Sequence, residues 1–434
     1  MLKRNLIANY FGQGWSALMG FAFVPYYIKY LGIEAYGMIG VFAVMQVWLS
    51  LLDMGMSAAL NREFARFSGN AQDANYIKDL LRSMEVLAVC MGGLVAVIIF
   101  AASGWIATRW ISTDNLTAES VTRSISMIGM VIGLRFTEGV YRSTLIGLQR
   151  QVLYNVVSSS MATLRGAGAI VALVFVGPTL EVFFLWQFIM SVLTLGILLV
   201  SVYFLLPETN RRPKFSKDAL WHIKTFAGGF LGLTILNIIL TQIDKVLLIK
   251  LISLSEFGYY TLAVTVTGAL NILNGAAVQA FYPRLCELHA RGEDAEFADT
   301  YHRGAQLVTV LFGSAVIILI LRSSLILQLW TQDADLVERV APLISILAFG
   351  NLLNGLMWIP FQAQLAVGWI SLMMRTNLVC RSADRSAYLV GHASLRAYRG
   401  GLGLGVSERY LCVNRHSLHA PSPAHRRKMA LVFQ

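Results

Sequence analysis

The chain has 434 residues, of which 56% are hydrophobic and 14% charged, whereas ordinary soluble domains carry about 25% charge. A soluble protein of this size has no interior for so much apolar surface, and a disordered chain would need low hydrophobicity instead. The formal charge of +11 would suggest nucleic acid in a soluble protein; in a membrane protein it suggests positive cytoplasmic loops.

The N-terminus reads MLKRN and turns apolar from Leu6 to Ile28. The next apolar segment begins at once, which disfavours a signal peptide. A membrane span takes about 20 apolar residues. The pattern predicts ten, at 6–28, 37–60, 84–108, 122–146, 152–176, 180–206, 226–250, 257–282, 305–330 and 340–367. With the N-terminus inside, the cytoplasmic segments hold sixteen Lys/Arg, among them Lys3, Arg4, Arg62, Arg66, Arg211 and Lys217. The opposite loops hold five: Lys29, Arg109, Arg123, Lys250 and Arg339. This asymmetry predicts a cytoplasmic N-terminus.

The polar connector Asn210–Lys224 divides the chain into an N-terminal bundle at 1–210 and a second bundle at 211–377. A short internal repeat agrees. YLGIEAYGMIG (Tyr30–Gly40) resembles LISLSEFGYYTLA (Leu251–Ala263) when Tyr36-Gly37 is laid on Phe257-Gly258, an offset of 221 residues. Two similar halves around a central site are a common build of secondary transporters. The expected fold is therefore an all-α polytopic membrane protein of two pseudo-repeated helical bundles. Ten spans are visible, and the offset places two more at about 373–397 and 401–427.

The composition changes near Asn377. Residues 381–434 carry nine Lys/Arg against two Asp/Glu, a net +7, and four of the seven histidines. No apolar run of spanning length occurs there. Because two helices are missing where the repeat expects them, we read 378–434 as out-of-frame translation. A basic cytoplasmic tail touching anionic lipid is the plainer alternative.

Charge inside a bilayer is costly and points to function. The fourth span carries Arg135, Glu138 and Arg142, which fall within about 60° of one another on a helix. Two readings of this face are open: a self-neutralised ladder packed against other helices, or the wall of a wet cavity where arginines hold an anion. Arg165 stands alone in the fifth span and Arg322 in the ninth. Asp244 and Lys245 are neighbours that do not face each other on a helix, so each is expected to pair across helices. Asp53, in the second span, reads as a protonatable coupling group or a helix–helix anchor. Several of these cations in one cavity would suit a polyanion such as a pyrophosphate-linked lipid, because Arg offers planar multidentate hydrogen bonds to phosphate. There is no HExxH, GxSxG or P-loop. The Asp333-Ala-Asp335 pattern lies in a loop too short for a catalytic domain. The four cysteines show neither a zinc nor a disulfide pattern, and neither a metal site nor a cofactor is expected.

YYIKYLGIEAYGMIGVFAVMQVWLSLLDMGMSAALNREFAR (Tyr26–Arg66) resembles the first-loop and second-span signature of bacterial polysaccharide-biosynthesis membrane proteins. These are the O-antigen and related lipid-linked oligosaccharide flippases of the multidrug/oligosaccharidyl-lipid/polysaccharide exporter superfamily. YRSTLIGLQRQVLYN (Tyr141–Asn155) and TQIDKVLLIKLISLSEFGYYTLA (Thr241–Ala263) resemble the same family in order and position. The resemblance implies two bundles of six or more helices in the bacterial inner membrane, alternating access around a cationic cavity, and no enzyme activity. It implies an undecaprenyl-pyrophosphate-linked oligosaccharide as substrate and a proton or sodium gradient as drive. Candidate partners are membrane lipid, a polysaccharide polymerase and its chain-length regulator. Asp53, Arg62, Glu63 and Arg66 match the charged end of the family's second span, and Asp244 and Lys245 its pair in the seventh. On this basis Arg135, Arg142, Arg165, Arg322 and Lys245 are expected to hold substrate, and Asp53, Glu138 and Asp244 to exchange the coupling ion. The rivals are a drug or cation exporter of the same superfamily and a membrane polymerase or glycosyltransferase of the same pathway.

Overall fold

The computed structural model describes residues 2–53, 55–68, 74–207, 213–217 and 242–367, together with Arg211 and Ile238. The segment 378–434, the spans expected at 373–397 and 401–427, and much of the 226–250 span lie outside the described residues. The chain forms two compact units, Met1–Thr261 and Leu262–Gln434.

The first unit contains α1 (Leu2–Ala22), α2 (Val24–Leu31), α3 (Ile33–Leu49), α4 (Met56–Ser68), α5 (Ala74–Trp105), α6 (Ala118–Gly147), α7 (Gln151–Phe175) and α8 (Leu180–Leu205). A helical stretch at 242–251, α9, follows. Helix α10 (Leu254–Gly268) crosses the boundary. The second unit continues with α11 (Asn271–Arg291), α12 (Asp294–Leu321), α13 (Ser323–Thr331), α14 (Ala334–Leu356) and α15 (Trp358–Ala366). There α12 packs on α11 and α14, and α15 on α11. Among the described residues, five helical segments are long and apolar enough to cross a membrane: Ala74–Trp110, Gln151–Phe175, Leu180–Leu205, Asp294–Leu321 and Ala334–Ala366. Side chains such as Phe204 and Phe175, 89% and 83% exposed, suit contact with lipid tails.

Several helices begin where a side chain can accept a free amide of the first turn. Thr117, Thr179 and Asp333 accept from Ser120, Val182 and Leu336. Some expected spans are broken by local chemistry. Pro25, which has no amide hydrogen, stands in the first turn of α2, and the 6–28 span divides there. The 37–60 span divides at the 3₁₀ turn Ser50–Asp53 and at Gly55, whose φ of 77° is one glycine adopts readily. The Asp53 carboxylate accepts the amide and hydroxyl of Ser57, at 3.2 and 2.6 Å, and so caps α4.

Helices in a membrane associate through close packing rather than hydrophobic exclusion, so small residues mark their crossings. Gly92 of α5 and Gly133 of α6 face each other: a Cβ on either would lie 2.6 Å from the other's carbonyl oxygen. One turn away, Gly129 receives Ile99. Gly147 receives Phe64 and the Asn61 carbonyl of α4. Helix α6 is thereby enclosed by α3, α4, α5, α7 and α8.

The repeated segments also meet. Gly37 lies against the carbonyl of Leu254, and Gly258 against the carbonyl of Ile33. Gly40 lies against Thr261. Leu254 N–H donates to Ser112 C=O at 2.8 Å, which fixes the start of α10 on the loop before α6. Glu34 fixes the same loop, because its buried carboxylate accepts the amides of Asp114, Asn115 and Leu116 at 2.7–3.3 Å.

Candidate functional site

The first unit has two apolar clusters at different depths. One gathers Met38, Val41, Phe42 and Val44 of α3, Ile99 of α5, Ile125–Ile132 of α6, Ala169 and Leu173 of α7, and Phe183 and Phe184 of α8. The other gathers Leu60 and Phe64 of α4, Leu80–Ala88 of α5, Val140–Leu145 of α6, and Leu198 and Val202 of α8. The residues between them on α3, α6, α7 and α8 form a polar layer: Gln46; Arg135 and Glu138; Arg165; Gln187, Ser191 and Thr194.

Arg135 is the centre of that layer. Its Nη1 donates to Gln46 Oε1 at 3.0 Å and its Nη2 to Gln187 Oε1 at 3.2 Å. Its guanidinium lies 4.9 Å from the Phe42 ring centroid, within cation–π range. Phe42, Phe184, Phe183 and Tyr27 continue as a chain of edge-to-face rings, with centroids 5.2–5.8 Å apart. Arg165 donates from Nη2 to Thr194 Oγ1 at 3.4 Å. Two glycines beside it admit large rings, Gly166 that of Phe23 and Gly168 that of Trp186. Trp186 Nε1 then donates to the Arg165 carbonyl at 3.2 Å.

This layer is electrostatically incomplete. The Nε atoms of both arginines are enclosed, yet have no hydrogen-bond partner among the described residues. The Arg165 charge acts on Arg135, and Glu138 acts on both. Even so, neither arginine forms an ion pair among the described residues. A second guanidinium within electrostatic range is costly at this depth unless an anion or water shares the space.

The remaining candidates lie elsewhere. Arg142 is on α6 beyond Glu138 and is exposed. Arg322 does not lie within a helix as the sequence suggested; it joins α12 to α13 and is exposed. Its φ of −124° breaks the helical run. Lys245 and Asp244 make a contact that the sequence reading did not expect. They pair with each other, Nζ to Oδ1 at 3.6 Å, because the four-methylene stem of the lysine can curl back to the short neighbouring carboxylate. Tyr260 also donates to Asp244, at 3.3 Å. Asp53 is occupied as the α4 cap. Arg66 reaches Glu63 at 3.3 Å on the last turns of α4. No group of His, Cys, Asp and Glu that could hold a metal occurs among the described residues.

Sequence reasoning passed over Gln46, Gln187, Phe42 and Thr194. A lone amide inside an apolar run, as in VFAVMQVWLSLL and FFLWQFIMS, is the signal that would have found the first two. It also passed over Glu85, a buried carboxylate in the N-terminal half of α5. Glu85 accepts from Tyr141 at 3.0 Å, Tyr203 at 2.9 Å and Arg82 at 3.2 Å.

A family model described as "Polysaccharide biosynthesis protein" matches residues 2–289. The chain belongs to that family. A putative O-antigen transporter of Salmonella typhi is 20% identical over 278 residues, which cover 62% of this chain and 61% of that relative. The match therefore spans about three fifths of that relative's length. The fold is like that of an inward-facing multidrug resistance MATE family transporter of the MOP superfamily, with a TM-score of 0.70 at 15% identity over 96% of this chain and 95% of the other. It is also like that of the lipid II flippase MurJ in an inward closed conformation, with a TM-score of 0.66 at 10% identity over 94% of this chain and 84% of the other. The chain is thus a multi-pass membrane protein with the fold of MOP-superfamily transporters.

Proposed function

We propose that the chain is a flippase that moves an undecaprenyl-pyrophosphate-linked oligosaccharide, an O-antigen-type repeat unit, from the cytoplasmic to the outer leaflet of the bacterial inner membrane. The observation that carries this reading is the polar layer: Arg135 and Arg165, each with an enclosed Nε that has no hydrogen-bond partner among the described residues, between two apolar clusters. Pyrophosphate oxygens would supply acceptors for the two Nε atoms and the negative charge that the layer is short of, while the prenyl tail stays in lipid. Arg142, exposed on the same helix, would meet the headgroup earlier on its path. Arg322 and Lys245 remain candidates for later contacts. The excess of Lys/Arg in alternate loops supports a cytoplasmic N-terminus.

Coupling to a proton or sodium ion falls to Glu138 before Asp53 or Asp244. Glu138 has no hydrogen-bond partner among the described residues and acts on both arginines. Neutralising it would strengthen anion binding, and restoring its charge would weaken it. Asp53 and Asp244 are already engaged by Ser57 and by Lys245 and Tyr260. A cation exporter would need acidic excess here, and the layer holds two cations to one carboxylate.

In cells that depend on this chain for surface glycan, Arg135→Ala and Arg165→Ala should sharply reduce polymeric glycan, build up unflipped lipid-linked units and leave protein abundance unchanged. Full glycan in both variants would refute the proposal.

A further inference from the structure

Arg135 has an unusual pair of acceptors for an enclosed guanidinium. Both are amide oxygens, Gln46 Oε1 at 3.0 Å and Gln187 Oε1 at 3.2 Å, on two different helices. The usual partner at this depth is a carboxylate, which forms a short, charge-assisted, bidentate pair and cancels the charge. An amide oxygen accepts from the same N–H groups and carries no charge to subtract. Phe42 covers one face of the guanidinium at 4.9 Å. The two terminal nitrogens are thus held, one face is covered, and Nε has no partner among the described residues.

Gln187 is itself fixed. It is 5% exposed, and its backbone carbonyl receives the Ser191 hydroxyl at 2.9 Å. It lies beside Trp186, which bonds to the Arg165 carbonyl at 3.2 Å. One short stretch of α8 therefore holds the Arg135 guanidinium and the backbone of α7 at Arg165 without neutralising either cation.

We propose that Gln46 and Gln187 are specificity-determining positioning residues, which orient Arg135 while preserving its charge, so that the layer takes a phosphoanion and refuses neutral or cationic cargo. The inference rests on the flippase reading, since it concerns how the same layer chooses its ligand. A glutamate at either position would convert the acceptor into a counter-ion. It would strengthen the protein's own contact with Arg135 and compete with the ligand for it. Stability and binding should then move in opposite directions, which a merely structural glutamine would not produce.

The test uses the purified full chain in nanodiscs. Farnesyl pyrophosphate and inorganic pyrophosphate serve as probes, with thermal unfolding and equilibrium binding measured on the same samples. Gln46→Glu and Gln187→Glu should bind farnesyl pyrophosphate at least about tenfold more weakly and unfold no earlier than the unmodified chain. Gln187→Leu, which leaves the charge but removes the acceptor, should weaken binding less than Gln187→Glu. Tighter binding of farnesyl than of inorganic pyrophosphate identifies a lipid headgroup as the source; equal binding identifies free phosphoanion, and both retain the role of the glutamines. If Arg135→Ala abolishes binding while both Glu variants bind normally, the positioning role is overturned and the flippase reading stands. If Arg135→Ala and Arg165→Ala also bind normally, the flippase reading falls with it. A Gln187→Glu chain that fails to fold contradicts the expected gain of an ion pair, and the proposal with it.

Discussion

Gly37 rests on the carbonyl oxygen of Leu254, and the contact is returned 221 residues later, where Gly258 rests on the carbonyl of Ile33. The aligned residues of the sequence repeat thus make each other's contacts, with Gly40 and Thr261 meeting between them. Neither glycine leaves room for a Cβ, and the obstacle is backbone, which cannot swing aside. Gly37→Val and Gly258→Val should each cost about 1–3 kcal/mol through overpacking. The two costs should be similar, because the contacts are equivalent. Thermal unfolding of the two variants in the same detergent checks this. Two unperturbed midpoints would show that the seam does not hold this region together.

The Glu34 carboxylate organises the turn before α6 by accepting three consecutive backbone amides. Hydrogen bonds to charged groups contribute about 1.5–3 kcal/mol. Glu34→Ala should lose about that much and leave the amides of Asp114, Asn115 and Leu116 open to exchange. Hydrogen–deuterium exchange of this loop should rise in the variant, while the amides of α7 and α8 keep their protection.

Asp53 offers a way to separate a cap from a coupling group. Removing an N-cap side chain costs about 0.5–2 kcal/mol. Asp53→Ala should therefore lower the unfolding midpoint. Asp53→Asn retains an acceptor for Ser57 and should restore it. If Asp53 serves only as a cap, Asp53→Asn should also transport with unchanged pH dependence. A stable Asp53→Asn protein that has lost its pH dependence would move the coupling role from Glu138 to Asp53.

On α11, Arg284 bonds Glu287 at 2.9 Å and Glu296 of α12 at 3.1 Å. The Arg284 guanidinium beside Glu287 holds that carboxyl below its usual range, with Arg291 adding to the effect. A depressed folded value means that the stabilisation is present above the ordinary carboxylate range and is lost as pH falls through the folded value. Both side chains are exposed, so salt should weaken the effect. In Arg284→Ala, the Glu287 carboxyl should titrate closer to an unperturbed glutamate, as carboxyl-carbon NMR of the full chain would record. An unchanged titration would exclude Arg284 as the cause.

The spans were legible because bilayer-scale apolar runs leave little choice of structure. The breaks were less so. Pro25 and Gly55 are visible in the sequence, but whether such residues bend a helix or end it depends on packing. Arg135, Glu138 and Arg165 stood out because charge is rare in apolar runs. Their supporting amides did not, because a glutamine carries no charge and its partner is 89 residues away in one case and 52 in the other. Arg322 misled for a related reason: a cation between two apolar runs looks the same whether it lies within one helix or joins two. The Gly37–Leu254 contact was foreshadowed by the repeat, but alignment reveals equivalence and not touch.

The central claim is that the Arg135–Arg165 layer carries a pyrophosphate-linked lipid across the membrane. Its most direct test is transbilayer movement of a fluorescent polyprenyl-pyrophosphate oligosaccharide in proteoliposomes of the full chain. Quencher added outside reports the fraction of lipid that is exposed. The expected result is protein-dependent exchange between leaflets that slows about tenfold or more in Arg135→Ala and in Arg165→Ala. Exchange at the unmodified rate in both variants, or none above protein-free vesicles in the unmodified chain, would contradict the claim.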